Sequence, residues 1–290
     1  MVIPVAAIAR VMRPRHWVKN LFVLAPLLMT PSAVDPTRLK ATLLGMLAFC
    51  LMASATYVLN DLKDRDSDRL HPDKRHRPIA SGALSPGGAV WLMALLAAAG
   101  LGLAFALSRP FGLVIGFYFG LTTAYSLKLK HIAVLDIMVL AAGFILRLEG
   151  GALLARVPLS VWIILCTWLL ALFLAVAKRR DDLVRGLDES HRGSLDGYTV
   201  EFVDKAMVIL TAGLFICYTI YTADKDVMER LGSSHLYLTV PFVLAGVLRY
   251  LQITIVEKRS GAPTDLALGD PFLLITLFGW AALFGGLIYL

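Results

Sequence analysis

Nine apolar runs decide what this chain of 290 residues can fold into. The hydrocarbon core of a bilayer is roughly 30 Å thick, so a helix needs about 20 mostly apolar residues to cross it. Spans are read at 20–34, 39–59, 86–107, 110–127, 132–154, 158–177, 205–223, 234–255 and 270–289, the first short and interrupted by Pro26. Soluble domains average about 25% charged residues; here the share is 17%. The expected class is therefore all-α, a polytopic membrane protein with nine transmembrane helices in a single domain, 1–290. Residues 1–20 are expected to form an amphipathic segment in the interface, charged by Arg10, Arg13, Arg15 and Lys19 and anchored by Trp17. Pro86, Pro110, Pro158 and Pro271 sit at or near helix starts, where a missing N–H costs little. No cleavable leader is expected, because the apolar stretch Val2 to Ala9 is short and precedes the arginines.

The net charge of +7 is read as membrane topology and not as nucleic-acid binding. Of the 28 Lys and Arg residues, 20 fall on the side that holds the N-terminus, the connection 61–85, Lys128, Lys130, the connection after Lys178 (Arg192 included), Lys258 and Arg259. Six fall on the other side, and Arg147 and Arg249 lie within spans. This asymmetry predicts a cytoplasmic N-terminus and an external C-terminus in a multi-pass cell-membrane protein. Cys50, Cys166 and Cys217 lie in apolar runs without metal spacing and are expected to be packing residues. His71, His76, His191 and His235 are scattered and are read as surface residues.

The polar stretch between the second and third runs carries the chemistry. Asn60, Asp61, Asp64 and Asp68 follow the pattern N-D-x-x-D-x-x-x-D. On one helix the three carboxylates would share a face and repel each other. Mg²⁺ would remove that conflict, since it takes oxygen ligands and bridges a few carboxylates to substrate phosphates. Lys74, Arg75 and Arg77 would meet the remaining phosphate charge. A second charged connection begins Lys178-Arg179-Arg180-Asp181-Asp182. Alone it reads equally as a positive-inside cluster; with the first on the same membrane face it would suit a metal-bound polyphosphate. Tyr125, Lys128 and Lys130 are either interfacial residues or contacts to phosphate and ribose. Lys19 and Asn20 end a basic segment that would hold lipid headgroups or the phosphate of a lipid substrate. Arg147 and Glu149, at i and i+2, each need a partner elsewhere, and a lipid-substrate phosphate is one option for Arg147. Asp136 is read as a helix cap or as a charge that favours the N-terminal dipole of its span.

These residues resemble the UbiA prenyltransferase superfamily. Its first signature stands here as Asn60, Asp61, Asp64 and Asp68, followed by Arg77-Pro78-Ile79-Ala80-Ser81-Gly82. The resemblance implies nine helices around a lipid-accessible cavity and Mg²⁺ on Asp61, Asp64 and Asp68. Prenyl-transferring members carry a carboxylate where this chain has Lys178. With Arg13-Pro14-Arg15-His16-Trp17-Val18-Lys19-Asn20 and Tyr125 to Lys130, that change resembles the decaprenyl-phosphate phosphoribosyltransferase branch. The branch implies transfer of 5-phosphoribose from phosphoribosyl diphosphate to a polyprenyl phosphate, for cell-envelope arabinose supply. It also implies phosphate contacts from Lys128, Lys130, Lys178, Arg179 and Arg180. Exchanging Lys178 for Asp is expected to damage use of the phosphorylated donor, read as its apparent affinity. The alternatives are prenyl transfer to an aromatic acceptor, or a lipid or ion transporter. The oligomeric state is open, a homo-oligomer included.

Overall fold

The computed structural model describes residues 5–70, 72, 74–185, 194–258, 266 and 269–290. His71, His191, Arg192 and Arg259 therefore lie outside the described residues. The helices are α1 (Val5–Met12), α2 (Pro36–Lys63), α3 (Arg65–Leu70), α4 (Pro86–Leu107), α5 (Arg109–Leu127), α6 (Leu135–Ala155), α7 (Val161–Val184), α8 (Val200–Ala223), α9 (Lys225–Leu231), α10 (Val240–Leu251) and α11 (Pro271–Tyr289). Among the described residues there is no strand. Local chemistry sets many of the starts. Asp35 accepts hydrogen bonds from the backbone N–H groups of Thr37 and Arg38 at 2.8 and 2.9 Å, ahead of Pro36. Ser85, Ser160 and Asp270 cap α4, α7 and α11 in the same way.

Eight helices among the described residues are long and apolar enough to cross a membrane: α2, α4, α5, α6, α7, α8, the stretch Leu236–Val256 that contains α10, and α11. The ninth expected helix, at 20–34, is not formed. In its place the chain makes a 3-10 stretch, Pro14–Val23, a single α-turn, Ala25–Leu28, and a second 3-10 turn, Pro31–Ala33. Pro14, Pro26 and Pro31 divide the segment, and proline both lacks a donor and clashes within a helix. The segment nevertheless runs antiparallel to α2. Arg13 meets Asp61, Trp17 Nε1 donates to Ser54 Oγ at 3.2 Å, and Asn20 Nδ2 donates to Cys50 Sγ at 3.1 Å. Irregular backbone at membrane depth is tolerated where protein covers it.

Two compact units divide the chain. The first comprises Met1–Leu28, Ala33–Lys130 and Gly143–Pro158. Its spine is α2, packed against α4, α5 and the broken segment, with Phe49, Met52, Phe111 and Ile115 fully enclosed. Helix α1 buries Ala7 and Val11, and Val11 packs with Ala55 and Val58 of α2. Gly151 of α6 lies so close to the broken segment that an added Cβ would land on the Val23 carbonyl. Gly151→Ala is therefore expected to destabilise the protein by roughly 1–3 kcal/mol. Gly116→Ala in α5, where the added methyl meets nothing within 4 Å, should be neutral or slightly stabilising. Thermal unfolding of the two variants in detergent checks the contrast.

The second unit comprises Met29–Ser32, His131–Ala142 and Leu159–Leu290. In it α7 packs on α8, and α10 packs on α8 and α11. Trp280 Nε1 donates to the Tyr218 hydroxyl at 2.6 Å, and that hydroxyl shares a 2.6 Å bond with Thr239. Such pairing satisfies polar groups inside an apolar bundle. Cys50 is buried, Cys166 and Cys217 are half-buried, and all three are free thiols.

Candidate active site

The acidic run does not ride one continuous helix. Helix α2 stops at Lys63, Asp64 is its C-cap, and α3 starts afresh at Arg65. The break separates the three carboxylates expected on one face. Asp61 and Asp68 turn inward, at 2% and 3% exposure. Both accept from the same atom, Arg77 Nη1, at 3.1 and 2.8 Å. Asp64 instead accepts from Lys130 Nζ at 2.6 Å and from Asn60 Nδ2 at 3.0 Å. Asp66, inside the same run, points to solvent beside Arg65 and Arg69. Burial pushes the Asp68 carboxyl above its usual range, with the neighbouring Arg77 and Lys74 pulling it back and Asp61 pushing it further up.

Arg13 joins this cluster; the sequence reading named it within the basic N-terminal segment but put forward only Lys19 and Asn20 as binding residues. It forms an ion pair with Asp61, and its guanidinium lies 5.2 Å from the centroid of Tyr57. Its backbone is left-handed, φ 53° and ψ 59°. That conformation costs a non-glycine residue about 1–2 kcal/mol, so surrounding contacts hold it there. Pro14 follows it, and a residue before proline is disfavoured from the right-handed helical region.

The donor set suits a hard cation. Two carboxylate oxygens converge on one cationic atom, and Mg²⁺ commonly needs only one or two protein carboxylates besides phosphate oxygens. Among the described residues no group of three or more His, Cys, Asp or Glu is placed to hold a metal ion. Asp61 and Asp68 are the two whose oxygens approach one point, and Asp64 faces Lys130.

Arg147, in the first unit, is 5% exposed and has three neutral hydrogen-bond partners. Its Nε donates to Asn20 Oδ1 at 2.7 Å, Nη1 to the Gly143 carbonyl at 2.7 Å and Nη2 to the Tyr118 hydroxyl at 2.8 Å. The rings of Tyr118, Phe144 and Phe49 surround the guanidinium at 4.9, 5.4 and 5.8 Å. Arg147 therefore ties the broken segment to α6, and the Asn20 amide is engaged at both ends. Glu149 is exposed, on another face of α6. Lys19, Lys74 and Tyr125 are half-buried, while Lys128 and Arg75 are exposed.

In the second unit the basic run belongs to the last turns of α7, not to a connection. Ion pairs one turn apart extend the helix: Lys178 with Asp181 and Asp182 at 2.7 and 2.9 Å, and Arg185 with Asp181 at 2.8 Å. Arg180 pairs with Asp204 of α8. Arg179 is 1% exposed and donates through Nε to Asp136 Oδ2 at 2.6 Å. Asp136 lies in the first turn of α6 and is a hub: it also accepts from Ser194 Oγ at 3.1 Å and the Tyr198 hydroxyl at 2.6 Å. Burial, reinforced by the bond to Asp136, pushes the Tyr198 hydroxyl well above its usual range. Lys178 is the half-exposed member of the run; Arg179 and Arg180 are buried and paired with Asp136 and Asp204.

Residues 21–263 match the family described as the UbiA prenyltransferase family. Decaprenyl-phosphate phosphoribosyltransferase of Mycolicibacterium smegmatis is 34% identical over 98% of this chain and 93% of its own. The protein of that name from Corynebacterium glutamicum is 33% identical over 93% of this chain and 83% of its own. A solved structure of a UbiA homolog from Archaeoglobus fulgidus, bound to GPP and Mg²⁺, covers 98% of both chains with a TM-score of 0.74 at 21% identity. That last likeness speaks for the fold.

Proposed function

The chain belongs to the UbiA prenyltransferase family, and from that premise we propose a membrane transferase that moves 5-phosphoribose from phosphoribosyl diphosphate to a polyprenyl phosphate. The observation that carries the reading is the near-full-length similarity to decaprenyl-phosphate phosphoribosyltransferases. The end of α2 supports it with hard oxygen donors beside three cations. In this reading Asp61 and Asp68 hold a magnesium ion, with Asp64 and Asn60 alongside. That ion, when bound, supplies charge neutralisation on the departing diphosphate. Arg13, Arg77 and Lys130 meet phosphate oxygens. An oxygen of the acceptor phosphate attacks ribose C1, the C1–O bond to diphosphate breaks, and the electron pair leaves with the diphosphate. The acceptor is already an anion at neutral pH, so no general base is required. The protein's contribution is then mainly position and fixed charge. The lysine and arginine asymmetry supports a cytoplasmic location for the N-terminus and this end of α2.

Purified protein in nanodiscs with Mg²⁺ tests the reading. Radiolabelled phosphoribosyl diphosphate with polyprenyl phosphate should yield a labelled lipid, and labelled prenyl diphosphate with an aromatic acceptor should not. The opposite pattern would replace this function by conventional prenyl transfer.

A further inference from the structure

Asp61, Asp64 and Asp68 are met one for one by Arg13, Arg77 and Lys130. The carboxylates at the end of α2 are thus charge-balanced by the chain's own side chains. Arg77 Nη1 occupies the point where the Asp61 and Asp68 oxygens converge. Arg13 covers Asp61 from a left-handed backbone held beside Tyr57. A divalent ion arriving alone would push two guanidinium groups off their carboxylates and leave them facing it, with no anion to receive them. A diphosphate arriving with the ion supplies that anion.

We propose that Arg13 and Arg77 are place-holding residues: they occupy the cation position at Asp61 and Asp68 before the donor binds and pass to the diphosphate oxygens when it does. This rests on the transferase reading above. It makes metal and diphosphate binding cooperative, each raising the affinity for the other by the same factor. Bare Mg²⁺ would bind weakly, so the carboxylates would stay closed until a diphosphate is present.

The test is calorimetric titration of the purified full chain in nanodiscs, first with MgCl₂ and then with preformed magnesium pyrophosphate. Arg77→Gln should bind Mg²⁺ alone about tenfold tighter than wild type, and magnesium pyrophosphate about tenfold weaker. A residue that only stabilises the fold would weaken both when replaced. Unchanged or weaker Mg²⁺ binding by Arg77→Gln, with wild type still taking up magnesium pyrophosphate, overturns the place-holding role and leaves the transferase reading intact. No uptake of magnesium pyrophosphate by wild type overturns both. Arg13→Gln, which removes a cation from outside the α2–α3 turn, is held to the same criteria and decides the matter if Arg77→Gln does not fold.

Discussion

Asp61→Asn should lower phosphoribosyl transfer by about a thousandfold, the scale expected when several kcal/mol of charge stabilisation on a leaving group is lost. The substitution keeps the size of the side chain but removes the charge that faces Arg13 and Arg77. The control lies five residues away. Asp66, with 79% of its side chain exposed, belongs to the same acidic run but points away from the cluster. Asp66→Asn should retain activity within about twofold, as exposed pairs contribute little. A radiolabel transfer assay on matched, monodisperse preparations compares the two. Equal activities would show that the inward and outward carboxylates are not functionally distinct.

Asp136→Ala should be among the most destabilising single changes in the second unit. The carboxylate is fully buried and collects three donors, one of them the charged Arg179. Removing it leaves a guanidinium enclosed with no counter-charge at Asp136; a second carboxylate, Asp182, sits 3.6 Å from Arg179 Nη1. Breaking one side of a buried pair typically costs about 3–5 kcal/mol, which for a chain of this size corresponds to a drop of roughly 10 °C in Tm. Arg179 Nη2 already has no hydrogen-bond partner among the described residues, so the site has little left to absorb the loss. Differential scanning fluorimetry in detergent reads the shift. A change under about 2 °C would mean that Asp136 is not the hub of this network.

The membrane-crossing helices were legible because bilayer thickness imposes a length that apolar runs display directly. Where the reading failed, the cause is physical. Pro14, Pro26 and Pro31 announce that residues 14–33 cannot be one α-helix, yet only tertiary cover decides that such a segment can still run along α2. Lys178 to Asp182 look like a connection by polarity, while ion pairs at i, i+3 and i, i+4 keep them helical through Val184. The spacing of Asp61 and Asp68 was informative, but the break at Asp64 moved the middle carboxylate toward Lys130, 66 residues along the chain. The Asp136 network joins residues 43 to 62 apart in sequence, and no local pattern carries that.

The most direct test is a structure of the protein with Mn²⁺ and phosphoribosyl diphosphate, in which the metal is located by its own signal. The predicted result is one metal ion held by Asp61 and Asp68, the diphosphate against it, and Arg77 turned from the carboxylates to phosphate oxygens. A metal ion and diphosphate lodged away from both aspartates, with Arg77 still bridging them, would contradict the account.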